Sequence, residues 1–270
     1  MENLLSVFSY SFFWRALIVG VLVSLCAALL GVNLVLKRYS MLGDGLSHVA
    51  FGAAAVALAV GAAPLKVAVP VVVIAAFLLL RISENGKIKG DAAIAVVSSS
   101  ALAIGVIVAT MTTGMNTDIN NYMFGSILAV SKEDVVFTVI IAVAVILMYL
   151  LFYNRLFAAT FDENFAAATG VKVKLYNCLL AVLTAVTVVI GMRMMGALLI
   201  SSIITFPALS SMRVCRKYRS VTVVSVIISV FSFLTGLFLS VCYDMPAGAS
   251  VVVVNLIIFL VLSFSGRIRK

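Results

Sequence analysis

Nine runs of apolar residues, at 13–36, 45–61, 64–82, 91–112, 134–153, 174–193, 195–213, 220–242 and 247–265, take up most of the 270-residue chain. Each is about as long as an α-helix must be to cross the roughly 30 Å hydrocarbon core of a bilayer. Lipid offers backbone amides no hydrogen-bond partner, so a chain that spans it must form helices or a closed barrel. Barrel strands would read as alternating segments of about ten residues. These runs are unbroken, and they predict an all-α polytopic membrane protein. Nine spans are expected, or eight if the short second run or the seventh, interrupted by Pro207, does not cross. With 64% hydrophobic and only 11% charged residues, against about 25% charged in a soluble domain, a soluble fold could not hide the apolar surface. Residues 1–270 read as one transmembrane domain.

The net charge of +9 would point to nucleic acid in a soluble protein, but here it sorts by side. If the C-terminus is cytoplasmic and the spans alternate, fifteen of the nineteen basic residues fall inside, leaving Arg15, Lys66, Lys132 and Arg193 outside. The positive-inside rule then predicts an N-out, C-in chain with no nucleic-acid partner. The first twenty residues hold acidic Glu2, no basic leader and no small-residue cleavage site, so the first span is expected to be retained. Cys26, Cys178, Cys215 and Cys242 are scattered and read as small apolar residues, not as a disulfide or zinc cluster. The chain has no GxxxxGK[ST] loop, so ATP hydrolysis would have to come from another subunit.

Nine of the ten acidic residues lie in loops or at span boundaries, where water or headgroups can solvate them. The exception is Asp44, four residues before the sole histidine, His48. On a helix, i and i+4 share a face, so a carboxylate and an imidazole point the same way. That donor set suits zinc, manganese or ferrous iron. Alternatively, Asp44 caps the second span and His48 is an interfacial histidine. An ionisable pair inside a span is costly and usually faces a pathway, which favours the metal reading. A two-fold dimer would present the pair twice around a central pore.

Between the fifth and sixth spans, residues 154–173 form a connection longer than a turn. Asp162 is the expected N-cap of a two-turn helix that stops at Gly170. Phe161 and Phe165 would then make an apolar ridge beside Asp162 and Glu163. Such a ridge suits either a groove on a partner protein or the bilayer surface. Residues 114–133, on the other side, begin polar and continue apolar. Weaker pathway candidates are Ser98, Ser99 and Ser100 in the fourth span, and Ser201, Ser202, Thr205 and Pro207 in the seventh. Arg193, at an outer boundary, is expected to snorkel. A secondary transporter would need several deep charged sites. An intramembrane hydrolase built on Ser47 and His48 would have poor geometry, because adjacent helical residues point about 100° apart.

Several stretches resemble the permeases of the zinc/manganese/iron ABC importers. LVLKRYSMLGDGLSHVAFGAAAVAL resembles their signature of a basic pair, Ser, Gly-Asp and Leu-Ser-His. KGDAAIAVVSSSALAIGVI, NNYMFGSILAVS, FDENFAAATGV, RMMGALLISSIITFPALSS and MPAGASVVVVNLIIFLVLS resemble successive later motifs, in order, along nearly the whole chain. After His48 the chain reads VAFGAAAVAL, where many relatives have Ala-Val-Leu-Pro-Gly; Asp44 and His48 are intact.

The resemblance implies a vitamin B12-importer-like fold in a bacterial plasma membrane, assembled as a homodimer. Its partners would be a cytoplasmic ABC ATPase dimer and an extracytoplasmic metal-binding protein that docks near 114–133. The transported ion would be a divalent metal (zinc or manganese, with iron as a further option in the family), with no permanently bound cofactor. Asp44 and His48 would be metal ligands on the path, and Phe161, Asp162, Glu163, Phe165 and Gly170 would couple to the ATPase. A permease for a siderophore, another metal chelate or cobalamin on the same fold is the nearest alternative, although a bulky organic substrate would not need an Asp/His pair.

Overall fold

An apolar medium forces backbone hydrogen bonds to close within the chain, and nearly every segment is helical. The computed structural model describes residues 11–84, 90–112, 125, 132–243 and 245–268. Its helices are α1 (Ser11–Leu36), α2 (Ser40–Ala59), α3 (Pro64–Glu84), α4 (Gly90–Met111), α5 (Lys132–Leu151), α6 (Tyr153–Phe161), α7 (Glu163–Ala168), α8 (Val173–Met195), α9 (Ala197–Val214), α10 (Tyr218–Tyr243) and α11 (Ala247–Ile268). Among the described residues, nine helices are long and apolar enough to cross a membrane, matching the nine runs in the sequence. The short α6 and α7 lie between the fifth and sixth spans.

The spans α1, α2 and α8 form the buried centre, while α3, α4, α5 and α11 turn most of their surface outward. The outward side chains are apolar, among them Ile104 and Ile107 of α4, Ile140 and Leu147 of α5, and Val253 and Leu260 of α11. Lipid is as apolar as leucine, so helices in a membrane associate through close packing at small residues. That happens where α2 meets α4. A Cβ on Gly52 would lie 2.5 Å from the Ala101 carbonyl oxygen, and one on Gly105 would lie 2.9 Å from the Gly52 Cα.

Two expected boundaries moved. The second span begins at Ser40, not residue 45, because Gly43 and Gly45, weak helix formers alone, are held by tertiary packing. A Cβ on Gly43 would meet Ile204 of α9 at 2.8 Å, and one on Gly45 would meet Ile94 of α4 at 2.5 Å. The seventh span is not broken at Pro207, since α9 runs straight through it. The break lies at Gly196 (φ 86°, ψ 159°), the single residue between α8 and α9. The Cβ position of Gly191 lies 2.4 Å from the Ile200 side chain across this elbow, so the chain folds back on itself there.

The α1–α2 turn also has an unusual conformation. The N–H groups of Arg38 and Tyr39 donate to the carbonyls of Val35 and Leu34, the Schellman pattern that usually has glycine in the left-handed position. Here that position is Arg38, at φ 62°. The end of α1, the start of α2, the end of α5, α6, α7 and the starts of α8 and α10 all gather at one end of the bundle. Hydrogen bonds Lys37–Glu163, Lys37–Asn177 and Tyr218–Asn33 hold this end together. Of the 114–133 segment, only Gly125 and the first residues of α5 fall within the described residues. Gly125 (φ 78°) abuts the Met195–Gly196 elbow at the opposite end. Lys87, Lys89, Arg269, Lys270, Glu2, Asp118 and Asp244 lie outside the described residues.

Candidate functional site

Helix α2 is wedged between α4 and α9 by the glycines that flank Asp44, and one stripe of it stays open. Leu42, Leu46, Ser47 and Val49 are buried, whereas Met41 is half exposed and the Asp44 and His48 side chains are 41% and 25% exposed. The pair therefore occupies the accessible side of an otherwise enclosed helix, not its core. Asp44 lies within α2 and does not cap it: the N-cap is Tyr39, with no side-chain cap bond. Asp44 Oδ2 and His48 Nε2 are 3.7 Å apart, too far for a hydrogen bond. One ion about 2.1 Å from each, the usual metal–ligand distance, would bridge that gap. Among the described residues no third His, Cys, Asp or Glu joins them, so one chain offers only these two donors at this place. Ser47 is fully buried and donates to the Asp44 carbonyl at 2.7 Å, which removes it as a nucleophile beside His48.

The serines of α4 divide between its faces. Ser98 is buried, one turn from Ile94 on the side that meets α2, and Ser99 is exposed. On α9, Ser202 and Pro207 are buried, whereas Ser201 and Thr205 are partly exposed and donate back to carbonyls of their own helix.

Around Asp162 the structure partly agrees with the sequence reading and partly corrects it. Asp162 caps α7, its carboxylate accepting the Phe165 N–H at 2.9 Å. Gly170 (φ 84°) closes the helix, with Gly170 and Val171 donating to Ala167 and Ala166. Asp162 itself is extended, however (φ −148°, ψ 101°), and also ends α6. Phe161 and Phe165 therefore sit on two different helices, not four apart on one. Both are well exposed, at 58% and 65%. The Phe161 ring packs on Phe157 at 4.8 Å and on Tyr218 at 5.9 Å. The sequence reading missed α6; Leu156 and Ala159, three apart and buried, were the available signal.

Glu163 is more than half exposed but reaches the bundle through one carboxylate oxygen. Its Oε1 accepts from Lys37 Nζ at 2.7 Å and from Asn177 Nδ2 at 3.1 Å, and Lys37 also donates to Asn177 Oδ1. Burial alone would raise the Glu163 pKa, but the hydrogen bonds from Lys37 and Asn177 and the charge of Lys37 outweigh it and hold the carboxyl below the ordinary carboxylate range. It is ionised at neutral pH.

At the opposite end, Asp134 and Arg193 were expected in contact with headgroups or water. Asp134 is instead buried, with its Oδ1 3.1 Å from Arg193 Nη1. The pair joins the first turn of α5 to the last turn of α8, beside the Gly196 elbow. Truncating one partner of a sheltered pair costs more than the pair contributes. Arg193→Ala should lower the thermal midpoint of the purified protein by several degrees, equivalent to about 1–3 kcal/mol. Arg193→Lys, which keeps the cation, should lower it less; equal losses for the two variants would remove the ion pair as the cause.

The profile of the ABC 3 transport family matches residues 9–266, from ahead of α1 to the last turn of α11. The chain belongs to the ABC 3 transport family. Proteins of this family are the membrane-spanning permeases of ABC transporters, whose ATP hydrolysis resides in a separate subunit. The permease is 30% identical over 256 residues to the manganese transport system membrane protein MntC of Halalkalibacterium halodurans, covering 95% of this chain and 88% of that one. It is 29% identical over 255 residues to the high-affinity zinc uptake system membrane protein ZnuB of Haemophilus influenzae, covering 94% and 98%. Among solved structures, PsaBC from Streptococcus pneumoniae in complex with a Fab superposes with a TM-score of 0.86 at 30% identity, over 97% of this chain and 94% of that one. The permease is thus a multi-pass integral membrane protein.

Proposed function

We propose that the permease carries a divalent transition metal, manganese or zinc with ferrous iron chemically admissible, into the cytoplasm as the membrane subunit of an ABC importer. The observation that carries this reading is the Asp44–His48 pair, 3.7 Å apart on the open side of α2. Relatives named for manganese and zinc transport support it. Two copies of the chain, meeting on the face that Met41, Asp44 and His48 leave open, supply four ligands to one path. Four nitrogen and oxygen donors suffice to replace part of an ion's hydration shell, and a transient site lets the ion go again.

The distribution of basic residues supports a cytoplasmic location for the end bearing Lys37, α6 and α7. Residues 154–173 are the segment on which the ATPase dimer docks, and an extracytoplasmic binding protein delivers the ion at the opposite face near 114–133. ATP binding and hydrolysis displace α7 and switch the side to which the pathway opens.

The test is uptake into vesicles holding the permease with its ATPase and binding protein. ATP-dependent accumulation of free manganese or zinc ions is expected, with iron compared in parallel. Accumulation restricted to chelated metal or cobalamin would overturn the reading.

A further inference from the structure

The last turn of α1 and the residue that follows it carry two polar side chains four positions apart, Asn33 and Lys37, and both reach the segment between α5 and α8. Asn33 is fully buried, and its Oδ1 accepts from Thr160 of α6 at 3.0 Å and from Tyr218 of α10 at 2.8 Å. Lys37 donates to Glu163 at 2.7 Å and to Asn177 of α8, and Asn177 closes the ring by donating to Glu163 at 3.1 Å. The Lys37 side chain is only 5% exposed although Glu163 is 55% exposed. The lysine therefore belongs to the bundle, and the glutamate reaches in to it.

The chain then turns from Lys37 to the start of α2 at Ser40 through a joint closed by two backbone hydrogen bonds, with Arg38 in the left-handed region. Asp44 and His48 follow about 6 and 12 Å along the axis from that start.

We propose that Lys37 is a positioning residue for transport, fastening α7 to the α1–α2 turn so that any displacement of α7 reaches Asp44 and His48 as a rigid movement of α2. Separating α7 from this turn would leave an ammonium group enclosed without its carboxylate, a costly arrangement. The contact therefore persists through the cycle, with α7, the α1–α2 turn and the start of α8 moving together. Glu163 accordingly acts on the permease side of the segment, not as a contact to the ATPase. The purpose of the linkage rests on the importer reading, whereas the persistence of the contact does not.

Two measurements test it on the permease purified with its ATPase. The first is acylation of lysines by an amine-reactive ester, read by mass spectrometry, without nucleotide and in the ATP–vanadate-trapped state. Lys37 should react at least about tenfold more slowly than exposed Lys172 and Lys174 in both states, and Glu163→Gln should release that protection. Labelling of Lys37 at the rate of the exposed lysines in either state overturns the persistent contact. The second, with the binding protein added, is the ratio of metal-stimulated to basal ATP hydrolysis. Lys37→Glu and Glu163→Lys should each lower it severalfold, and the double exchange should restore it. A folded double exchange no better than the single ones overturns the proposal, and if it does not fold the labelling decides. A wild-type complex without metal stimulation would instead count against the importer reading, leaving the labelling result to stand for the contact.

Discussion

Replacing Asp44 and His48 together by alanine is expected to abolish metal uptake while the permease remains in the membrane at its normal level. Both side chains lie on the open stripe of α2, and the packing of that helix relies on other residues. Gly43 and Gly45 admit Ile204 and Ile94, and Leu42, Leu46 and Val49 fill the interior. Alanine is also the best helix former, so the double variant gives up the sheltered part of the His48 ring but keeps the contacts that seat α2 and gains helix propensity. On the proposed reading it loses every ionisable donor that α2 presents to the pathway, twice over in a dimer. Changing groups around a bound metal commonly costs about 10–100-fold in affinity or activity, so uptake should fall by on the order of 100-fold. Asp44→Asn keeps an oxygen donor but removes its charge, and should lie between the double variant and wild type. Initial rates of manganese and zinc accumulation, normalised to permease content, provide the measurement. Wild-type rates in the double variant would exclude the pair from the path.

The reason the Asp44–His48 pair stood out in the sequence as a candidate is the same reason α2 looked weak as a span. A carboxylate, the sole histidine and two glycines lower its hydropathy, and only a helix with tertiary support keeps them within an apolar bundle. Spans such as α5 and α10 were legible because lipid demands long unbroken apolar runs whatever the fold. The cap at Asp162 and the stop at Gly170 were legible because they are local chemistry. Contacts between distant positions were not. Lys37 and Glu163 stand 126 positions apart, and neither carries a local sign of the other. Asp134 looked like any acid at a span boundary until α8 brought Arg193 beside it. The α6–α7 break was hidden for a different reason. Asp162 was correctly seen as a cap, but the residues before it were not recognised as a second helix that the same aspartate ends. Arg38 in a left-handed turn gave no warning at all, since glycine is the residue that marks such turns.

Phe165→Asp is expected to detach the ATPase from the permease, and Phe161→Ala to weaken the association less. The break at Asp162 gives the two rings different surroundings. Phe161 already packs on Phe157 and Tyr218, so part of its surface is committed within the chain. Phe165 stands in the first turn of α7, 65% exposed, on a helix capped by Asp162 and fastened from behind through Glu163. An exposed aromatic on a braced element has little conformational freedom left to lose on binding, which is how aromatic anchors come to dominate interfaces. Loss of such an anchor costs about 2 kcal/mol or more, roughly 30-fold in affinity, and a carboxylate in its place adds desolvation. Asp162→Ala should act at one remove, fraying α7 by about 1 kcal/mol and weakening the complex without removing any apolar surface. Titrating purified ATPase against permease in detergent or nanodiscs gives the ordering Phe165→Asp, then Asp162→Ala and Phe161→Ala, then wild type. An ATPase that binds Phe165→Asp with wild-type affinity would place the docking surface elsewhere on the permease. Because Lys37 and Glu163 are untouched in that variant, Lys37 should remain protected from acylation even where the partner is lost, which separates the surface that receives the ATPase from the contact that passes its movement on.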